Sequence, residues 1–251
     1  MKGKVARYLE ERTAKGPVHM TLLDPASVSA ERGVEIARRA QDFGTDCFMV
    51  GGSTGVTEAN LDSLVVGIKE ATGLPVIHFP NHHGAISRHV DAIWFMSMLN
   101  SRDPRFITRE QMLGAPILKV LKIEPLSMGY VIVAPGMTVG RVSDAEVLAR
   151  TDEGAEMAAA YALAAEFFGM QFVYLEAGSG ADQPIPEGHV RAVKAATATI
   201  RCVAGGGIRT AAQATTLLDA GADVLVTGTI AEEQEYAALR GIVKAVRAHQ
   251  R

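Results

Sequence analysis

"IRCVAGGGIRTAAQATTLLDAGADVLVTGT" (residues 200–229) holds one full turn of a repeating grammar. Residues 200–207 form an apolar run that closes on three glycines. Residues 210–222 space their apolar side chains as a helix does. Residues 223–229 form a second apolar run that again ends in glycine. Continuously apolar strands are buried on both faces, as in a parallel sheet. A strand, a glycine turn, a helix and a further strand make a βα unit.

The same grammar extends back through the chain. Apolar runs at 17–24, 46–52, 74–79, 91–97, 129–135 and 171–178 bring the strand count to eight. Helical patterns fill 29–44, 57–73, 151–169 and 210–222, and a last one at 232–250 closes the chain. Ser29 suits an N-cap and Gly44 a helix stop. The opening residues, 1–16, read as an amphipathic helix rather than a targeting peptide. Eight βα units in 251 residues predict a (β/α)8 TIM barrel in one domain spanning 1–251. A doubly wound open sheet is the alternative, although it usually has fewer strands. One connection is too short. "PNHHGAISRHV" (80–90) joins the third strand to the fourth, where a parallel crossover normally needs about a dozen residues and a helix. The third outer helix is therefore expected to be missing or rudimentary, leaving a slot in the barrel wall.

Composition narrows the function. The formal charge is −3 and there is no polybasic run, so nucleic acid is not an expected partner. No apolar run reaches the ~18 residues of a membrane span. The expectation is a soluble cytoplasmic protein. Cys47 and Cys202 lie in apolar stretches without CxxC spacing and read as buried thiols. His78, His82 and His83 lack an accompanying carboxylate or cysteine at ligand spacing, which argues against structural zinc.

Barrel enzymes work at the C-terminal ends of their strands. Those ends hold Asp24, then Ser53 and Thr54 in "GGSTG", then Glu176 in "VYLEAGSGA" (173–181). They continue with Gly205 and Gly206 in "AGGGIR" and Thr227 and Gly228 in "VTGTI". The last two loops fall where barrels commonly bind phosphate, and glycine lets backbone N–H groups come close to phosphate oxygens. Asp24 and Ser53 (or Thr54) would face each other from neighbouring strands. An incomplete pair of that kind suits Mg²⁺, which keeps waters and takes substrate phosphates. Residue chemistry leaves open that Asp24 only caps a turn before Pro25. It also leaves Glu176 as either a site carboxylate or the partner of Arg209 in an ion pair.

Several motifs together resemble one family. "HMTLLDP" (19–25), "MVGGSTG" (49–55), "HFP" (78–80), "DAIWFMSMLNSR" (91–102), "YLEAGSG" (174–180), "AGGGIR" (204–209) and "TGT" (227–229) stand in the order and spacing of geranylgeranylglyceryl phosphate synthases, the PcrB-like prenyltransferase barrels. The likeness covers nearly the whole chain. It departs from many members in one place: no Lys follows "DP" of the first strand. The resemblance implies ether-bond formation between geranylgeranyl diphosphate and the C3 hydroxyl of sn-glycerol 1-phosphate. It implies Mg²⁺ on Asp24 and Ser53, glycerol 1-phosphate held by Tyr174, Leu175, Glu176, Ala177, Gly178, Ser179, Gly180, Gly205, Gly206, Thr227 and Gly228, and Glu176 with Tyr174 as the catalytic pair. A homo-oligomer (dimer or hexamer) and a transient membrane association on product release belong to the same expectation. So does a polyprenyl tail lying in the slot. A longer heptaprenyl donor, a two-carboxylate phosphosugar isomerase and a non-catalytic phosphate sensor are the alternatives. Trp94 in the fourth strand reads either as core or as part of an assembly surface.

Overall fold

A computed structural model describes residues 3–249. Met1, Lys2 and Gln250, where the first and last helices were expected to begin and end, lie outside them. Eight parallel strands close into a barrel in chain order: β1 (Val18–Leu23), β2 (Cys47–Val50), β3 (Val76–His78), β4 (Ala92–Met98), β5 (Glu124–Ile132), β6 (Phe172–Glu176), β7 (Arg201–Gly205) and β8 (Val224–Thr227). β8 returns to β1, with Val18 opposite Val224. The (β/α)8 expectation therefore holds.

The helices are α1 (Lys4–Thr13), α2 (Ala30–Phe43), α3 (Glu58–Thr72), α4 (Glu110–Leu121), α5 (Met137–Val142), α6 (Asp152–Phe167), α7 (Glu187–Ala196), α8 (Ala211–Asp219), α9 (Thr229–Glu232) and α10 (Tyr236–Ala248). Their ends follow local chemistry. Ser29 accepts the Arg32 N–H, and Gly44 closes α2 in the left-handed region. Thr57 with Asn60 and Thr210 with Gln213 form capping boxes at α3 and α8. The structure adds α4, α5 and α7, whose sequence signals are weaker: Pro116 interrupts α4, α5 has six residues and α7 lacks a side-chain cap. β5 begins earlier than its apolar run, at Glu124. That carboxylate accepts the Val5 and Ala6 N–H groups at 2.8 and 2.9 Å, so α1 is fastened across the strands' N-terminal end.

Two apolar layers flank the strand wall. Met20, Met49, Trp94, Met128, Phe172 and Val226 fill the barrel and meet Val5 and Leu9 of α1, which seal the floor. Val50, Val131, Val173 and Leu225 point outward against the helices. Alternation along each strand produces this division. Cys47 belongs to the inner layer and Cys202 to the outer, so both thiols are buried and apart. Trp94 is fully buried and meets Phe172 edge-on at 5.0 Å. It is core, and the assembly reading of this residue is withdrawn.

With the floor sealed, a ligand reaches the interior from the C-terminal end or through the wall. The wall is open where the short connection predicted it. No helix lies between β3 and β4, and α4 stands beside the gap. Among the described residues no helix is long and apolar enough to cross a membrane.

Candidate active site

A cavity of about 390 Å³ occupies the C-terminal end and continues into the β3–β4 gap. Its mouth is polar and its tail apolar. Three clusters line the mouth.

The first gathers Asp24 at the end of β1, Ser53 after β2 and Glu232 at the end of α9. Asp24 Oδ1 accepts the Ala26 N–H at 2.8 Å, while Oδ2 has no protein partner among the described residues. Glu232 Oε1 accepts the Asp24 N–H at 2.8 Å. Burial raises the pKa of Asp24, opposed by the Ala26 hydrogen bond. Burial also raises that of Glu232, helped by the charge of Asp24. A Cβ at Gly52 would fall on the Asp24 carboxylate, so the glycine keeps that carboxylate's approach open. Ser53 lines the cavity, whereas Thr54 is exposed and does not. A half-buried carboxylate with a free oxygen, a neighbouring hydroxyl and no paired cation has the hard oxygen donors that Mg²⁺ prefers. The residues fit the ion, provided a substrate supplies further oxygens. The three histidines do not converge. His83 Nδ1 bonds Glu110 at 2.7 Å, His82 Nδ1 accepts the Gly84 N–H, and buried His78 is pushed down to about 3 and stays neutral. No group of three metal-ligating side chains occurs among the described residues.

The second cluster is built of turns. Gly206 and Gly207 have φ of +80° and +70°, in the region that disfavours side chains. A Cβ at Gly206 would strike Glu176, and one at Gly207 would strike the Gln183 backbone. Gly228, Ser179 and Gly180 line the same end. Thr229 Oγ1 accepts the Gly180 N–H and meets Ser179 Oγ, both at 3.3 Å. Thr227 lines the cavity too, and its hydroxyl lies 3.0 Å from His19 Nε2. Arg209 pairs with Glu233 at 3.2 Å, not with Glu176, so the ion-pair reading of Glu176 is corrected.

The third cluster is Glu176 between two tyrosines. Gly178 N–H donates to Oε1 at 2.7 Å and the Tyr130 hydroxyl to Oε2 at 3.2 Å. The Tyr174 hydroxyl faces the same carboxylate and also favours its ionised form. Burial raises the pKa of Glu176, and these three donors oppose the rise. Burial likewise holds both tyrosines well above the usual phenol range. Tyr174 and Glu176 share the inward face of β6. Leu175 and Ala177 alternate outward into the helix layer and do not line the cavity. Gly178 and Gly205 are likewise absent from the lining. Gly205 lies beneath the Tyr174 hydroxyl, where a Cβ would collide.

Phe79, Ile86, Phe95, Phe106 and Leu118 make the apolar tail. Glu110, at the start of α4, holds its roof. It accepts the His83 N–H at 2.8 Å and Arg105 Nε at 2.7 Å. Burial pushes its pKa up, but the bonds from Arg105 and His83 outweigh this and hold it at about 2.

Tyr130 and Glu232 were not singled out from the sequence, and Gly207 and Thr229 were read only as members of their glycine loops. Tyr130 lies directly opposite Tyr174 in the β5–β6 register, which a run of apolar letters does not reveal. Glu232 has a faint signal, a carboxylate shortly after the last glycine loop.

A family model described as the PcrB family matches residues 6–246. The chain belongs to the PcrB family. Among its PcrB-family relatives, a protein from Thermococcus gammatolerans named geranylgeranylglyceryl phosphate synthase is 51% identical over 231 residues, 92% of this chain and 90% of that protein. The solved wild-type GGGPS from Thermoplasma volcanium superposes with a TM-score of 0.92 at 41% identity, covering 98% of each chain. A (S)-3-O-geranylgeranylglyceryl phosphate synthase from Thermoplasma acidophilum, solved in complex with the substrate sn-glycerol-1-phosphate, gives 0.92 at 43% identity, covering 99% of this PcrB-family chain and 100% of that one.

Proposed function

We propose that this chain is a prenyltransferase that joins geranylgeranyl diphosphate to the C3 hydroxyl of sn-glycerol 1-phosphate, giving geranylgeranylglyceryl phosphate for ether-lipid synthesis. One observation carries the reading. A single cavity leads from a polar mouth with a glycine phosphate cradle and a buried carboxylate to an apolar tail in the open wall. Neither a phosphosugar isomerase nor a phosphate sensor needs that tail. The relatives' name and the glycerol phosphate complex of a close structural neighbour support the same reading.

In the proposed reaction the glycerol phosphate sits on Gly206, Gly207, Gly228 and the turn at Ser179 and Gly180, with its C3 hydroxyl toward Glu176. The hydroxyl oxygen bonds to C1 of the prenyl chain as the C1–O bond to diphosphate breaks. Glu176 takes the hydroxyl proton, and Tyr130 and Tyr174 hold its carboxylate in place. Diphosphate leaves toward Asp24 and Ser53, which would hold Mg²⁺. When bound there, the ion neutralises charge on the leaving group. The prenyl tail lies along Phe79, Phe95 and Phe106, which exclude water from the reacting carbon. The proposal extends to a cytoplasmic homo-oligomer, dimer or hexamer, that meets a membrane transiently when product leaves. Phe167 and Phe168, 79% and 74% exposed at the end of α6, are apolar surface that a second copy would cover. A heptaprenyl donor remains the alternative substrate.

Glu176→Gln tests the chemistry. A general base typically contributes ~10²–10⁴ in rate, so kcat should fall by that range while affinity for glycerol 1-phosphate changes little. A folded Glu176→Gln with unchanged kcat would refute the assignment.

A further inference from the structure

Glu232 stands beside the proposed cation position, yet the reaction as derived assigns it no part. Its Oε1 is fixed by the Asp24 N–H at 2.8 Å, and its Oε2 has no protein partner among the described residues. It lines the same cavity as Asp24 and Ser53. Arg209, which lines the same cavity, pairs with Glu233 at 3.2 Å. No lysine or arginine among the described residues pairs with either Asp24 or Glu232. Two half-buried carboxylates brought together repel each other and lose part of their hydration. A fold that anchors the second by a backbone hydrogen bond to the first keeps that repulsion in place. A bound divalent cation relieves it.

We infer that Glu232 is a positioning residue for the cation half of the site: anchored on the Asp24 backbone, its fixed negative charge strengthens divalent-metal binding at Asp24. The inference rests on the metal reading of Asp24 and Ser53. It has a signature that a purely structural role lacks. Glu232→Gln keeps an oxygen to accept the Asp24 N–H and removes only the charge, whereas Glu232→Ala removes both. The charge should favour diphosphate with a metal and oppose it without one.

The test is calorimetric titration of the full chain with Mn²⁺ in the presence of inorganic pyrophosphate, and with pyrophosphate alone in EDTA. Residues supporting a metal ligand typically alter its affinity ~10–100-fold. Glu232→Gln should therefore weaken Mn²⁺ by about tenfold or more, and strengthen metal-free pyrophosphate. Titration with glycerol 1-phosphate should be unchanged, which shows that the variant is folded. Asp24→Asn separates the two layers of the argument. If Asp24→Asn loses Mn²⁺ and Glu232→Gln binds it like wild type, the Glu232 inference fails alone. Weak binding in Glu232→Ala with full rescue in Glu232→Gln would also overturn it, because the hydrogen bond rather than the charge would then matter. If Asp24→Asn retains Mn²⁺ affinity, the metal reading itself falls and takes this inference with it.

Discussion

Glu176 is fully enclosed, and its protonation is decided by a contest. Burial favours the neutral acid, while Tyr130, Tyr174 and the Gly178 N–H favour the carboxylate. As the proposed base, Glu176 would work only when ionised, so activity is expected to be lost as pH falls through its raised pKa. Removing a donor to the charged form raises that pKa further. Tyr130→Phe should therefore move the acid limb of the kcat/KM profile to higher pH and lower the rate several-fold near neutrality, with little change on the alkaline side. A pH–rate profile of Tyr130→Phe coincident with wild type would show that Tyr130 does not steer the base. Glu176 itself was legible in the sequence, because a charged residue at the end of an apolar strand needs a reason. Tyr130 was not: its role depends on which residue of β5 lies level with Tyr174, and register is a property of the closed barrel. The same gap explains Leu175 and Ala177. They belong to a recognisable motif, but strand alternation turns them away from the cavity.

Among the elements, the short β3–β4 connection opens the wall into which the cavity extends. Its shortness was readable by counting residues, and the structure confirms that no helix covers that sector. What counting did not show is how the gap is roofed. α4 contains Pro116 and carries a mixed pattern, so its place beside the slot emerges only in three dimensions. Glu110 then ties the loop through His83 and the preceding π-helical turn (Arg105–Arg109) through Arg105. Glu110→Ala removes three bonds to one partly buried carboxylate. The tail's roof should loosen, and KM for the prenyl diphosphate should rise several-fold while KM for glycerol 1-phosphate stays near wild type. Steady-state kinetics with each substrate varied separately decide this. An equal rise in both constants would place the effect on the whole fold instead of the groove.

At the scale of the whole molecule, the strand ends bring three chemistries to one rim while α1 closes the opposite end. Eight strands and their glycine loops were legible because a parallel barrel buries each strand on both faces and repeats its turn chemistry. Trp94, the residue that suggested an assembly surface, packs inside the barrel, while exposed apolar side chains include Met112 and Val120 on α4 and Phe167 and Phe168 at the end of α6. Light scattering should give two or six times the 26.6 kDa of one chain, and Phe168→Glu should lower that mass. A 26.6 kDa particle at micromolar concentration would contradict the assembly. The purified chain should be offered sn-glycerol 1-phosphate and Mg²⁺ with farnesyl, geranylgeranyl and heptaprenyl diphosphates in equal amounts, and the products weighed by mass spectrometry. The expected result is geranylgeranylglyceryl phosphate as the main ether product, lost when glycerol 1-phosphate is left out or EDTA is added. Absence of any prenyl ether under these conditions would contradict the account, and a dominant heptaprenyl ether would overturn the choice of donor.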